Sequence, residues 1–377
     1  MPTIPVRHAL GAYDVHIEPG ALLALPEMLA TAMGARPLVL ITDDIVGRYY
    51  DEWTRATTDA RALGARASDA GIRLKCETRL TFPAGEASKT RETWLQLSDQ
   101  MLTAGIGRHA GVVALGGGVV GDLAGFVAAT YLRGVPYAQV PTTLLAMLDA
   151  SVGGKVGVDT PAGKNLIGAF HPPAIVVADP LTLLSLPDRV FRAGLAEAVK
   201  HGLIADAAYF GWMETNARRL LARDLEALTH LVHQSVIIKA AVVSADERET
   251  GRRAILNAGH TIAHGLEQES RYRLPHGEAV GLGLIAECRI AGQLGLAPGD
   301  LAERVSSLLR TLGLPTRSGD RVQVSTALEA MTHDKKNRDG QVRLSLPGGL
   351  GTMHEGDGHW TVPVPTELLR AALAGLA

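Results

Sequence analysis

The sequence predicts two domains of different class, an α/β domain with a parallel sheet over residues 1–180 and an all-α domain over 181–377. Three observations lead there. A chain of 377 residues is long enough for two domains at roughly 100–200 residues each. Its first half alternates short, continuous apolar runs with amphipathic stretches, as the strands of a parallel sheet covered on both faces do. After residues 175–177 those runs stop, and helical patterns follow with few breaks.

Taken in order, 36–42 (RPLVLIT) reads as a short strand, 51–71 as a helix, 74–82 as a strand and 90–105 as a helix. The run 111–115 (GVVAL) is a buried strand, and 121–130 the helix that follows it. In the second half 191–204, 225–243 and 279–294 read as helices, separated by breaks at Pro275, Gly295 and Pro298. Two-domain α/β enzymes commonly keep their sites in the cleft between halves.

Composition narrows the function. With 37 Lys+Arg against 39 Asp+Glu the net charge is −2, which argues against a nucleic-acid or acidic-membrane binder, because counterion release needs a basic excess. The first twenty residues carry Arg7, His8, Asp14, His16 and Glu18 and no apolar core of a signal peptide. The longest apolar stretch, 111–121, is too short to span a bilayer. A soluble cytoplasmic protein is expected, with Cys76 and Cys288 as buried thiols rather than a disulfide or metal cluster. Glycine is in surplus, 42 of 377 residues or about 11% against a usual ~7%. There is no Gly-X-Y period, and the apolar content is too high for disorder, so the glycines should have local reasons.

Gly116-Gly117-Gly118-Val119-Val120-Gly121-Asp122 follows the strand GVVAL and opens a helix, matching G-x-G-x-x-G in the setting that motif requires. Glycines there let backbone N–H groups approach a pyrophosphate at a helix N-terminus; a glycine turn without a ligand is the competing reading. The acidic residue expected some 20 positions on is missing, and Asp43, at the end of an earlier strand, is the candidate ribose partner instead. A second glycine-spaced segment, 149–155 (DASVGGK) with Gly163-Lys164-Asn165, places lysines and an amide where they could bind phosphate, or reads as a solvated loop.

Glu197 and Lys200 lie three apart on one helix face, His260 and His264 four apart on another, and His276 opens a further helix after Pro275. One Glu and two or three His can form an N/O site for zinc or a similar metal with a position open for substrate, although a single histidine here would more often be an ordinary helix residue. Lys239, Arg252, Arg253, Lys335 and Lys336 are singly solvated charges and together suggest a pocket for an anionic substrate. The residues alone thus indicate a nucleotide- and metal-using enzyme acting on a small phosphorylated or carboxylated molecule.

A resemblance sharpens this. PAGEASK (83–89), LGGGVVGD (115–122), YLRG (131–134), QVPTTLL (139–145), DASVGGK (149–155), GKNLIGAF (163–170), GLAEAVKHG (194–202), DERETGRR (246–253), LNAGHTIAH (256–264), HGEAV (276–280) and DKK (334–336) resemble the 3-dehydroquinate synthase family of sugar-phosphate cyclases, in order from about residue 40 to 350. The resemblance implies an N-terminal Rossmann-like domain, a helical C-terminal domain and a homodimer. The implied cofactors are NAD and one divalent metal, zinc or cobalt. The implied reaction, in the shikimate pathway, converts 3-deoxy-D-arabino-heptulosonate 7-phosphate to 3-dehydroquinate and phosphate. Its steps are transient oxidation, phosphate elimination, re-reduction and intramolecular aldol closure.

Carried onto this chain, the resemblance makes Glu197, His260 and His276 the metal ligands, and His264 a catalytic, phosphate-contacting residue instead. Lys155, Asn165, Asn257, His264 and a lysine of the DKK motif, Lys336 rather than Lys335, would bind the phosphate, with Arg133 reaching into the partner subunit's site. Lys239 and Arg253 would bind the carboxylate, while Asp149, Lys200 and the metal handle ring hydroxyls. NAD would contact Asp43, Glu86, Lys89, Gly118, Val119, Asp122, Thr142, Thr143 and Lys164. Asp159 and Val156 depart from the family pattern, standing where Asn and Thr are more usual. Sister cyclases forming amino-dehydroquinate or a valiolone-type cyclitol are the nearest rivals. Lys239, Arg253 and Asn257 disfavour the valiolone reading and cannot exclude the amino substrate. A metal-dependent polyol dehydrogenase would have no need of Lys155, Asn165, Lys239, Arg253 or Lys336.

Overall fold

The computed structural model describes residues 3–9, 11–49, 76–161, 163–318, 323–332, 341–356 and 358–376. The chain folds as two compact units, Met1–Leu186 and Pro187–Ala377. The helix expected over 51–71, the first two residues of the strand expected over 74–82, and Lys335 and Lys336 all lie outside the described residues.

The first unit is built on strands β1 (Thr3–His8), β2 (Gly11–Ile17), β3 (Leu38–Asp43), β4 (Cys76–Phe82), β5 (Gly111–Gly116), β6 (Tyr137–Pro141), β7 (Lys155–Thr160), β8 (Gly163–Phe170) and β9 (Ile175–Ala178). Seven of them form one sheet in the order β1-β2-β9-β6-β5-β3-β4. Every neighbouring pair is parallel except β1 with β2. All residues of β3, β5, β6 and β9 are buried, as in strands covered on both faces; β5 and β9 are continuous apolar runs, while β3 ends in Thr42-Asp43 and β6 carries Gln139.

The helices are α1 (Leu25–Met33), α2 (Asp44–Tyr49), α3 (Arg91–Thr103) and α4 (Gly118–Thr130). Alternate strand residues feed opposite faces, as the two-residue strand period requires. Val39, Ile41, Val112 and Ala114 pack with Leu97 and Met101 of α3 and Leu123 and Val127 of α4. Leu38, Leu40, Val113 and Leu115 pack with Leu25, Leu29 and Met33 of α1 on the other side.

Two features differ from expectation. An antiparallel edge hairpin precedes the parallel strands: in β1, Ile4 and Val6 turn inward between exposed neighbours and pair with Val15 and Tyr13. The segment 155–170, expected as a loop, is the antiparallel hairpin β7–β8. The unit also extends past residue 180. Asp179 accepts bonds from the backbone N–H groups of Gly20, Leu22 and Leu181 at 2.9, 3.2 and 3.0 Å, which holds the turn Pro180–Ser185 to the first unit.

The second unit contains α5 (Asp188–Ala205), α6 (Ala207–Leu221), α7 (Leu225–Ala245), α8 (His260–Glu269), α9 (His276–Gln293), α10 (Leu301–Thr311), α11 (Val324–Thr332) and α12 (Thr366–Ala374). Asp206 and Asp224 cap α6 and α7 by accepting from the third residue on, each at 2.9 Å. The unit is not wholly helical. Arg343–Leu344 pairs with Val362–Pro363, and Pro347–Gly349 with Thr352–Met353, as two short ribbons. Helix α7 is long and apolar enough to cross a membrane by length and composition, yet 61% of that stretch is buried and it packs on α5 and α6.

Helix α9 is the hub, packing against α5, α8, α10 and α12. Two glycines allow the closest approaches. A Cβ on Gly277 would lie 1.9 Å from the Ala193 carbonyl oxygen of α5, and one on Gly283 would lie 2.0 Å from that of Gly259, just before α8. Cys288 of α9 is a free, buried thiol whose pKa is raised by burial.

Candidate active site

The three helices that meet at those glycines each supply one group to a cluster in which Glu197 is buried and the two histidines are half-buried. Glu197 of α5 stands against Lys200 one turn on, Oε2 to Nζ 2.5 Å, with both side chains 1% exposed. His260, the first residue of α8, donates from Nδ1 to the Ala258 carbonyl at 3.1 Å, which turns Nε2 toward Glu197 Oε1 at 3.5 Å. His276, the first residue of α9, points Nε2 at the same oxygen from 3.6 Å and places Nδ1 3.4 Å from Glu267 Oε2. One donor atom each from Glu197, His260 and His276 lies within 4.8 Å of the others. A carboxylate oxygen and two imidazole nitrogens at that spacing suit a divalent cation of the zinc or cobalt type, with positions left for substrate.

His264 stands apart from the triad. It is exposed, with its ring centroid 5.8 Å from that of His260 and 6.3 Å from that of His276. Among the three histidines the geometry therefore separates two that face the carboxylate from one that edges the cluster.

Charge is distributed unevenly. Burial, then the Lys200 ammonium, pushes the His260 pKa down to about 3, so its imidazole is neutral and its lone pair available. Burial would also lower the pKa of His276, but its bonds to Glu197 and Glu267 overcome that and raise it to about 10. A cation entering there displaces that proton.

Sequence reasoning missed two buried carboxylates beside the cluster. Glu267 backs His276, and Glu287 of α9 accepts the Gly259 N–H at 2.6 Å. Gly259 has φ 79°, a left-handed conformation that glycine adopts without strain. The available signal was a lone acidic residue in an apolar helical run, as in LGLIAECRI (282–290).

Lys239 of α7 and Arg253 are buried cations of the second unit. The segment DERETGRR winds around Asp246, whose carboxylate accepts from the N–H groups of Thr250, Gly251 and Arg253 at 3.0, 2.8 and 3.0 Å. Burial would raise that carboxyl, but the backbone bonds win and hold it below its ordinary range. Arg253 donates from Nη1 to the Glu247 carbonyl, and Asn257 donates from Nδ2 to Glu249 Oε1 at 2.5 Å. Arg252 lies over the Trp360 ring instead, 5.9 Å from its centroid.

In the first unit the glycine-rich turn joins β5 to α4. The helix begins at Gly118, three residues before the position expected, with extended Gly117 as a cap that has no side-chain bond. Gly118 and Val119 thus occupy the first turn, where N–H groups are left for an anion. Thr142 N–H donates to the Gly116 carbonyl at 2.9 Å, and Thr143 packs against Gly117. Gly121 makes room for Gln139, whose Oε1 would lie 2.7 Å from a Cβ there.

Around this turn the polar residues pair with each other. Lys89, 4% exposed, meets Asp122 Oδ2 at 2.5 Å, and Lys164 meets Glu86 at 3.4 Å. Burial lowers the Lys89 pKa, but Asp122 and Glu86 more than compensate and raise it. Asp43 caps α2, its Oδ1 accepting from Ile45 and Val46 at 2.9 and 2.7 Å, and burial raises its pKa despite those bonds.

The two departures from the family pattern have structural explanations. Asp159 receives the Asn165 N–H on Oδ1 at 2.8 Å and gives its own N–H to the Lys89 carbonyl at 2.8 Å, pinning the hairpin. Val156 is core, packed against Gly125 of α4. Asn165 sits in the left-handed region at φ 53°. Lys155 pairs with Phe170 at the open end of the hairpin while Asn165 lies near its turn, roughly 13 Å along the ribbon. Both are exposed. Asp149 lies half-buried in a π-helical turn, Ala146–Ala150. Arg133 is exposed at the end of a turn in which Leu132, Arg133 and Gly134 all have positive φ, 48°, 70° and 113°.

Family models described as 3-dehydroquinate synthase N-terminal and C-terminal match residues 79–193 and 194–337. The chain belongs to the 3-dehydroquinate synthase family. The 3-dehydroquinate synthase of Caulobacter vibrioides is 45% identical over 356 residues, 93% of each chain. Among solved structures, a 2-deoxy-scyllo-inosose synthase complexed with carbaglucose-6-phosphate, NAD+ and Co2+ superposes with TM-score 0.87 and 25% identity over 100% of both chains. The 2-epi-5-epi-valiolone synthase of Streptomyces hygroscopicus subsp. jinggangensis 5008, with NAD+ and Zn2+ bound, superposes with TM-score 0.82 at 29% identity, covering 100% of this chain and 99% of that one.

Proposed function

We propose that this member of the 3-dehydroquinate synthase family is a carbon–oxygen lyase. It converts 3-deoxy-D-arabino-heptulosonate 7-phosphate to 3-dehydroquinate and phosphate, using NAD and one divalent metal, zinc or cobalt. The observation that carries the reading is the convergence of Glu197, His260 and His276 beside Lys200, in a chain whose relatives carry that enzyme's name. Those three residues hold the metal; Asp43, Glu86, Lys89, Gly118, Val119, Asp122, Thr142, Thr143 and Lys164 form the NAD site. Bound there, the two cofactors supply transient oxidation of a ring secondary alcohol and Lewis-acid polarisation of it.

The chain's own residues do the rest. Lys239 and Arg253 clamp the carboxylate, and Lys155, Asn165, Asn257, His264 and Lys336 clamp the phosphate, so the substrate is gripped at both anionic ends. Asp149 and Lys200 orient the ring hydroxyls, with Lys200 fixed by its contact to Glu197. In the elimination the C–H electrons form the new double bond, the C–O pair leaves with phosphate, and a phosphate oxygen takes the proton while the cations keep it in reach. After re-reduction and ring opening the same clamps orient the enolate for aldol closure. The enzyme works as a cytoplasmic homodimer, with exposed Arg133 reaching the partner subunit's site. Lys239, Arg253 and Asn257 favour a carboxylated substrate over a valiolone-type one.

Purified protein with NAD and zinc or cobalt is expected to release phosphate from the heptulosonate phosphate. Release only from sedoheptulose 7-phosphate, and none from the heptulosonate, would sink the assignment.

A further inference from the structure

The two histidines of the cluster are backed by different chemistry. His260 is oriented by a neutral backbone carbonyl, that of Ala258. His276 is oriented by a carboxylate, Glu267, which is 2% exposed and faces Nδ1 at 3.4 Å. In the neutral imidazole that a metal ligand must be, the remaining proton belongs on Nδ1, which faces an acceptor, and Nε2 is the atom left toward the metal position and Glu197 Oε1. The bracing is reciprocal. Glu267 reaches from α8 to the histidine that begins α9, while Glu287 reaches from α9 to the N–H of Gly259, which precedes the histidine that begins α8.

Glu267 is thus a buried carboxylate aimed at the ring nitrogen of His276 that faces away from Glu197. We propose that Glu267 is a positioning residue for the metal centre: it fixes the tautomer and ring plane of His276 and makes that imidazole the more strongly donating of the two. The inference rests on the metal-site reading of Glu197, His260 and His276, and it adds a carboxylate that touches none of the reacting atoms. A carboxylate behind a ligating histidine typically contributes 10- to 100-fold in metal affinity.

Zinc affinity, measured by competition with a chromophoric chelator, and the visible spectrum of the cobalt-loaded protein are read for wild type, E267Q and E267D, with no need for turnover. E267Q preserves size but not charge and is expected to bind zinc about 10- to 100-fold more weakly with a shifted cobalt spectrum. E267D, which keeps the charge, should fall between E267Q and wild type, an order that a purely packing role would not produce. A folded E267Q with wild-type affinity and spectrum, or an E267D no better than E267Q, overturns the inference. Should E267Q not fold, E267D is read against wild type, and an unchanged site overturns it. Wild-type protein that takes up neither zinc nor cobalt overturns the underlying metal reading instead.

Discussion

The glycine-rich turn of the first unit and the histidine cluster of the second solve their tasks by different means. At the turn the features that suit a ligand are backbone features: an extended cap residue and the open first turn of α4. The charged side chains nearby are engaged with each other, Lys89 with Asp122 and Lys164 with Glu86. In the second unit the arrangement is made of side chains, with His260, His276 and Lys200 all converging on Glu197. A site made of backbone depends on what is absent from its residues; one made of side chains depends on what is present.

His260→Ala should break the second kind of site most completely. Loss of a Lewis acid removes several kcal/mol of stabilisation, roughly 10³-fold or more in kcat, together with the bound metal. Metal content per chain is the direct check, and an unchanged value would mean that His260 is not a ligand. Lys89→Met tests the other side. If Lys89 serves mainly Asp122, denaturant unfolding should show a loss of about 3 kcal/mol, the low end for breaking a buried pair. Weaker NAD binding is expected beside that loss, since Lys89 belongs to the proposed NAD site, and wild-type stability would mean that the Asp122 contact contributes little, blurring the distinction.

Two glycine substitutions sharpen it further. Gly283→Ala drives a Cβ against the Gly259 carbonyl, and backbone cannot step aside cheaply, so a loss of about 1–3 kcal/mol is expected, with weaker zinc binding. Gly121→Ala meets only the end of the Gln139 side chain and should cost about 1 kcal/mol or less. Thermal unfolding of the pair decides whether the order holds.

Much of this was legible in the sequence where one residue type carries one meaning. Strands buried on both faces are mostly continuous apolar runs, and β3 and β5 were found that way. From the residues alone one Glu and two or three His stood out as a possible metal site, and the choice of Glu197, His260 and His276 over His264 came only with the family resemblance. The β7–β8 hairpin was hidden because its glycines, Gly157 and Gly168, pack backbone to backbone where a loop reading also fits. The start of α4 was missed because Gly117 gives no capping side chain to mark it. Glu267 and Glu287 were missed for another reason, because an acid in an apolar helical run is only a weak signal. A buried acid looks like any helix acid until its partner is known, and those partners lie 9 and 28 residues away.

The contacts at Gly277 and Gly283 also bear on the order of events during folding. They join residues from three helices, and the donors they align come from positions 197, 260 and 276. Such distant pieces meet only after the intervening chain has closed its loops. A partly folded chain therefore carries Glu197, His260 and His276 apart from one another. The binding position exists only once all three helices have docked, so metal uptake reports completed folding and, by binding only the folded state, also stabilises it.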